Sequence, residues 1–197
     1  MKILAIETST VAGSVAVIDK TEGLIGEIRV DVRVAHSERL MPSIKWLLDS
    51  SGLTVGEIDA FAVSIGPGSF TGLRIGLSTA KGLAYASKKP LIPVRTLDAF
   101  ARTLPFCSYL ICPVLDARKN EVYAALYRWD ETGCVKIMEE EALTPEELFI
   151  RIKEPVLFMG EGVKRYEQLI KESVPDSIIA PPSRMSPSAA SVGEVAM

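Results

Sequence analysis

The chain has 197 residues, 48% of them apolar and 24% charged, and a net charge of −3. This composition excludes a disordered chain and leaves room for one large domain or two small lobes. The acidic balance argues against a chain that grips a phosphate backbone by itself. Cys107, Cys112 and Cys134 form no CxxC pair and read as reduced thiols of a cytoplasmic protein.

Residues 2–6 form a short apolar run, too short for a secretory signal and suited to a first strand buried on both faces. It runs into Glu7-Thr8-Ser9-Thr10 and a turn, followed by strands over residues 14–18 and 24–30. Residues 37–50 read as an amphipathic helix, with Leu40, Met41, Ile44, Leu47 and Leu48 on one stripe, Ser37 as cap and Gly52 as stop. Pro42 is expected within the first turn, Trp46 lies off the stripe and reads as packed on a neighbouring element, and a short helical turn is expected at 54–58.

The stretch 61–89, FAVSIGPGSFTGLRIGLSTAKGLAYASKK, reads as strand, Gly-Pro-Gly turn and long helix. A glycine inside a helix costs about 1 kcal/mol relative to alanine, so Gly76 and Gly82 need a compensating reason. Gly72, Gly76, Ala80 and Ala84, four residues apart, let a second helix come close. Arg74, Lys81 and Lys88, seven apart, leave one narrow solvated stripe.

A strand at 90–94 and a helix begun by Thr96 follow, and Pro105 ends that helix. The pattern then restarts: strands at 109–115 and 121–129 flank a polar turn led by Asp116, and 135–140 pairs beside them. Thr144-Pro145-Glu146-Glu147 starts a helix, 155–160 is a strand, Gly160-Glu161-Gly162 opens a helix reaching residue 173, and a last helix begins at Ser188. Two meanders, each followed by helices, predict two lobes of related topology, residues 1–102 and a smaller 103–197.

The segments IETST, AHSERLMPSI, SIGPGSFTGLRIGLSTAKGLA, VLDARKNEVYAALY and MGEGVKRY together resemble the TsaB (YeaZ) family, over nearly the whole chain. The resemblance implies an α/β, actin-like (ASKHA) fold of two lobes, each a mixed sheet with flanking helices. It also implies an accessory role beside the transferase TsaD, and with the ATPase TsaE, in making N6-threonylcarbamoyladenosine on tRNA. TsaD is expected to bind through the helices at 37–50 and 68–89, using Met41, Ile44, Lys45, Leu48, Gly72, Ile75, Gly76, Thr79 and Leu83. A second copy uses the same helices when the chain is alone, and tRNA is reached only through the complex, with no membrane involved.

Against the pattern of active actin-like ATPases, Glu7, Thr8, Ser9 and Thr10 stand where an Asp-x-Gly-Thr turn cradles phosphate. Arg118 follows Asp116 where glycine is wanted, and Gly160 and Gly162 are a lone GxG. These read as vestigial nucleotide positions, and no cofactor is implied. Thr96 and Phe100 replace the metal-binding histidine pair of the catalytic relative, and His36, the single histidine, reads as a helix-start or packing residue. No catalytic residue and no metal site are expected. The competing readings are an autonomous actin-like ATPase or kinase and, more remotely, a glycoprotease-type metallopeptidase.

Overall fold

The computed structural model describes residues 1–31 and 36–197. Ala35, the first residue of the AHSERLMPSI segment, lies outside the described residues. The elements in chain order are β1 (Lys2–Glu7), β2 (Gly13–Asp19), β3 (Gly23–Val30), α1 (His36–Ser50), β4 (Ala60–Ser64), α2 (Phe70–Ser87), β5 (Leu91–Val94) and α3 (Thr96–Ala101). There follow β6 (Leu110–Arg118), β7 (Glu121–Asp130), β8 (Gly133–Leu143), α4 (Pro145–Arg151), β9 (Val156–Met159), α5 (Glu161–Ser173), β10 (Ile178–Ile179) and α6 (Ala189–Ala196). The chain divides into two compact units, residues 1–99 with 187–197, and residues 100–186. No described helix is long and apolar enough to cross a membrane.

The first unit is built on a sheet of order β3-β2-β1-β4-β5, antiparallel from β1 to β3 and parallel from β1 through β4 to β5. Side chains alternate across a strand, so residues 3–6 of β1 are all apolar because both of its faces are covered. Leu4 and Ile6 join Val15, Val17, Phe61 and Val63 beneath α1 and α2. Ile3 and Ala5 join Ala16, Ala60, Ala62 and Val94 beneath α6. Each such large apolar side chain contributes about 1.5–3 kcal/mol of transfer free energy.

α6 belongs to this first unit, which corrects the expectation that all of 103–197 forms the second lobe. Ala189 and Val192 close the second face of the sheet. Ser188 Oγ donates to Glu27 Oε1 at 2.7 Å, and the Ala189 amide donates to Ser14 Oγ at 2.8 Å.

The second unit repeats the plan. Its sheet runs β8-β7-β6-β9-β10, with antiparallel pairing among β6, β7 and β8 and parallel pairing from β6 to β9 to β10. Its helices α4 and α5 are shorter than α1 and α2, and α4 is capped reciprocally by Thr144 and Glu147 with Pro145 at its start. Phe149 of α4 meets Phe158 of β9 edge to face, their centroids 6.0 Å apart.

Three local expectations shift. α1 begins at His36, which moves Pro42 past the first turn. The 54–58 turn is a 3-10 helix at Val55–Glu57. Trp46 is not packed away: it is 62% exposed.

Candidate functional site

The turn after β1 is spent on the fold. Glu7 is fully buried; Ser64 Oγ donates to its Oε2, and the Ser9 amide donates to Oε1 at 2.5 Å. Burial raises the Glu7 carboxyl above its ordinary value of 4.5, against those hydrogen bonds and the more distant Arg29, which lower it. Thr8 Oγ1 donates to the Gly72 carbonyl at 2.8 Å, Thr10 Oγ1 to the Ala12 carbonyl at 3.0 Å, and the Ser69 amide to the Ser9 carbonyl at 2.6 Å. Ser9 Oγ is buried without a hydrogen-bond partner, as is Thr96 Oγ1.

His36 lies against this turn. Its Nε2 is 2.8 Å from the Thr10 carbonyl, which only accepts, so Nε2 carries the proton. Nδ1 then accepts from Arg39 Nη2 at 3.1 Å, and the same guanidinium nitrogen donates to the Val11 carbonyl at 2.7 Å. Burial lowers the His36 pKa, and the neighbouring Arg39 charge lowers it further, while the bond to Thr10 raises it. Both ring nitrogens are engaged.

The small residues of α2 face inward. Gly72, Gly76, Ala80 and Ala84 are its buried stripe. A Cβ on Gly72 would lie 2.1 Å from the Thr8 carbonyl oxygen, one on Gly76 2.2 Å from Thr8 Oγ1, and one on Gly68 2.4 Å from the Ser9 carbonyl oxygen. These glycines let α2 sit directly on the end of β1, which is the compensation their helix cost requires. Gly72 and Gly76 are therefore not surface for a second chain. Ile44 and Leu48 are likewise core, packed with Leu40 and Leu47 over the sheet. Gly82, by contrast, lies on the exposed side, and a Cβ added there would meet nothing within 4 Å.

Of the expected partner-facing residues, Met41 and Lys45 are exposed, and Ile75, Thr79 and Leu83 are half-buried on one flank of α2. The outward ridge of α2 is a set the spacing argument passed over: Phe70, Arg74, Lys81 and Tyr85. At about 100° per residue these four fall within roughly 60° of one another. Phe70 is 67% and Tyr85 88% exposed, and the Arg74 guanidinium lies 3.8 Å from the centre of the Phe70 ring. The signal was the solvated stripe itself, with an aromatic residue four positions before Arg74 and another four positions after Lys81.

In the second unit, the Arg118 amide donates to Asp116 Oδ1 at 2.8 Å, and Arg165 Nη1 lies 3.7 Å from the same oxygen. Arg118, Lys119 and Asn120 all have positive φ, and Arg165 Nη2 donates to Asn120 Oδ1 at 2.8 Å. Gly160, at φ 112°, and Gly162 lie against β6: an added Cβ would meet the Val114 carbonyl oxygen at 2.2 Å and Val114 Cγ1 at 2.8 Å respectively. Their GxG spacing serves helix–strand packing. Thr96 and Phe100 are fully buried.

Two mixed sheets of identical order, each flanked by helices, define an actin-like fold, shared with the ethanolamine utilization protein EutJ of Carboxydothermus hydrogenoformans at TM-score 0.54 and 10% identity, over 98% of this chain and 89% of that one. Residues 13–196 match the family model for TsaD, the tRNA N6-adenosine threonylcarbamoyltransferase. The tRNA threonylcarbamoyladenosine biosynthesis protein TsaB of Escherichia coli is 36% identical over 179 residues, covering 88% of this chain and 77% of that protein. YeaZ from Pseudomonas aeruginosa superimposes at TM-score 0.80, with 27% identity over 100% of this chain and 91% of its own. The chain belongs to the TsaB (YeaZ) family.

Proposed function

We propose that this protein is a non-catalytic subunit in the synthesis of N6-threonylcarbamoyladenosine on tRNA, where it binds and supports a TsaD-type transferase through α1 and α2. The names of its TsaB relatives and the match to the TsaD family support the role in that modification. The observation that carries the docking part is the outward surface of the two helices: Met41 and Lys45 on α1, and Phe70, Arg74 and Tyr85 on α2, all exposed. Exposed aromatic side chains grouped on one face of a soluble protein mark a contact surface, and aromatic and arginine side chains dominate interface energetics.

The non-catalytic reading rests on the spent turn at Glu7–Thr10 and on Thr96 and Phe100 at the positions of the transferase's metal ligands. TsaE joins the larger assembly, and tRNA is engaged through the complex. In the absence of the transferase, a second copy of the chain occupies the same helix faces. Sedimentation of the purified chain with the TsaD-type transferase of the same organism tests this. A mixed complex is expected, weakened at least about tenfold by Tyr85→Asp, which removes an aromatic anchor without touching the core. Two proteins that sediment independently would end the proposal.

A further inference from the structure

We propose that His36 positions the docking surface: its neutral imidazole latches the start of α1 to the β1–β2 turn and to α2, and a second proton on the ring opens that latch. The inference rests on the reading of α1 and α2 as docking helices. It adds the residue that holds the two in register and the condition that releases it.

The first support is the slot that holds the ring. A Cβ added to Gly13 of β2 would lie 2.7 Å from His36 Nδ1 and 2.8 Å from Cε1, and one added to Gly72 of α2 would lie 3.3 Å from Cδ2. Two glycines thus make room for the imidazole against β2 along one edge and against α2 along the other, which leaves the ring little freedom to slide. Its nitrogens complete the latch. Nε2 donates to the Thr10 carbonyl at 2.8 Å, and Nδ1 accepts from Arg39 Nη2 at 3.1 Å. The single histidine of the chain therefore ties together α1, the β1–β2 turn, β2 and α2. Met41, exposed for docking, follows it by about one and a half turns of α1.

The second support is what a proton does there. Protonation puts a hydrogen on Nδ1, so two donors and two positive charges face each other where a donor now meets an acceptor. The ring cannot retreat between the glycines, so Arg39 must, and its 2.7 Å bond to the Val11 carbonyl goes with it. Among the described residues, the charge that acts on the ring is that of Arg39. The β1–β2 turn brings Glu7, whose buried carboxyl is turned to Ser64 and Ser9. β2 brings Gly13 and Ser14, α2 brings Gly72 with Arg74 on its outward side, and β3 brings another cation, Arg29, which acts on Glu7. Glu38 lies about 200° further around α1 and is exposed. Burial and Arg39 hold the His36 pKa below its ordinary 6.5. The contribution of the closed latch is therefore whole above that value and is lost as pH falls toward the folded pKa.

The test has two arms. In the first, urea unfolding of wild type and His36→Gln at about pH 7.5 and about pH 5.5 gives the ratio of their folding constants. The glutamine amide keeps a donor for the Thr10 carbonyl and does not titrate, and Glu7, common to both proteins, cancels in the ratio. The ratio of wild type to His36→Gln is expected to fall several-fold toward the acid side, with about tenfold as the ceiling for one group. In the second arm, sedimentation at about pH 7.5 with the TsaD-type transferase of the same organism is expected to show His36→Ala docking about tenfold more weakly than wild type, and His36→Gln within about threefold of it. Thermal melting checks that each variant is folded. Should His36→Ala be unfolded, Arg39→Met takes its place, because it opens the latch and leaves the ring in its slot. A ratio that stays flat or rises toward acid overturns the proton-sensitive latch. A folded His36→Ala or Arg39→Met that docks as wild type does overturns the positioning role. If wild type does not bind the transferase at all, the docking proposal falls and the positioning role with it, while the unfolding ratio still decides the latch.

Discussion

The two units share one strand order yet use their helices differently. In each, the helix after the first parallel strand begins with glycines laid against the central strand or its turn: Gly68 and Gly72 against Ser9 and Thr8, Gly160 and Gly162 against Val114. In each, the first strand carries an acidic residue at or near its end, Glu7 or Asp116. The first unit buries its acid and seals the turn beneath the 18-residue α2. The second leaves Asp116 half-buried, beside an exposed turn of three positive-φ residues and the 13-residue α5. The same plan therefore gives a sealed turn carrying a long outward helix in one unit, and an open turn with short helices in the other. The docking surface proposed above lies on the unit whose turn has been closed.

Breaking the seal should have the largest effect. Gly72→Ala drives a methyl into the Thr8 carbonyl and is expected to destabilise the protein by about 3 kcal/mol in urea unfolding, since backbone on both sides must move. The equivalent disturbance in the second unit, Gly162→Ala, meets the Val114 side chain first and should cost about 1–2 kcal/mol, the side chain giving way more easily than backbone.

The buried acid separates the units by pH. Because burial raises the Glu7 pKa, the unfolded chain ionises this group above about pH 4.5 while the fold still holds its proton. The contribution of the neutral acid is whole below that value and is lost as pH rises through the folded pKa. Glu7→Gln, with no proton to lose, should therefore show a flatter fall in unfolding midpoint between acidic and mildly basic buffer than the wild type does. An identical pH profile for the two would refute a neutral Glu7. The smallest effect is the control: Gly82→Ala, on the open side of α2, should stabilise the protein by about 0.5–1 kcal/mol in the same unfolding assay. It shows that glycine in this helix is costly unless β1 lies beneath it.

Much of the fold was legible in local pattern. The apolar run of β1, the amphipathic stripe of α1, the Thr144 cap and the restart at β6 follow from periodicity and from turn chemistry, which act over a few residues. The unusual glycines of α2 were also visible, but their meaning was not. Four small residues on one stripe signal close approach, and nothing in their spacing says whether the neighbour is another chain or the end of β1. Gly72 and Gly76 went to the wrong neighbour for that reason, and Ile44 and Leu48 with them.

By itself, then, the sequence determined the order of elements, the two related meanders and the family, because these rest on local propensity and on motifs read residue by residue. Only the tertiary structure decided that α6 returns across nearly the whole chain to close the first sheet, that Glu7 is sealed rather than open to a ligand, and that the outward ridge of α2 is Phe70, Arg74, Lys81 and Tyr85. Those facts depend on which face of each helix meets the sheet, a choice made by packing between residues far apart in sequence.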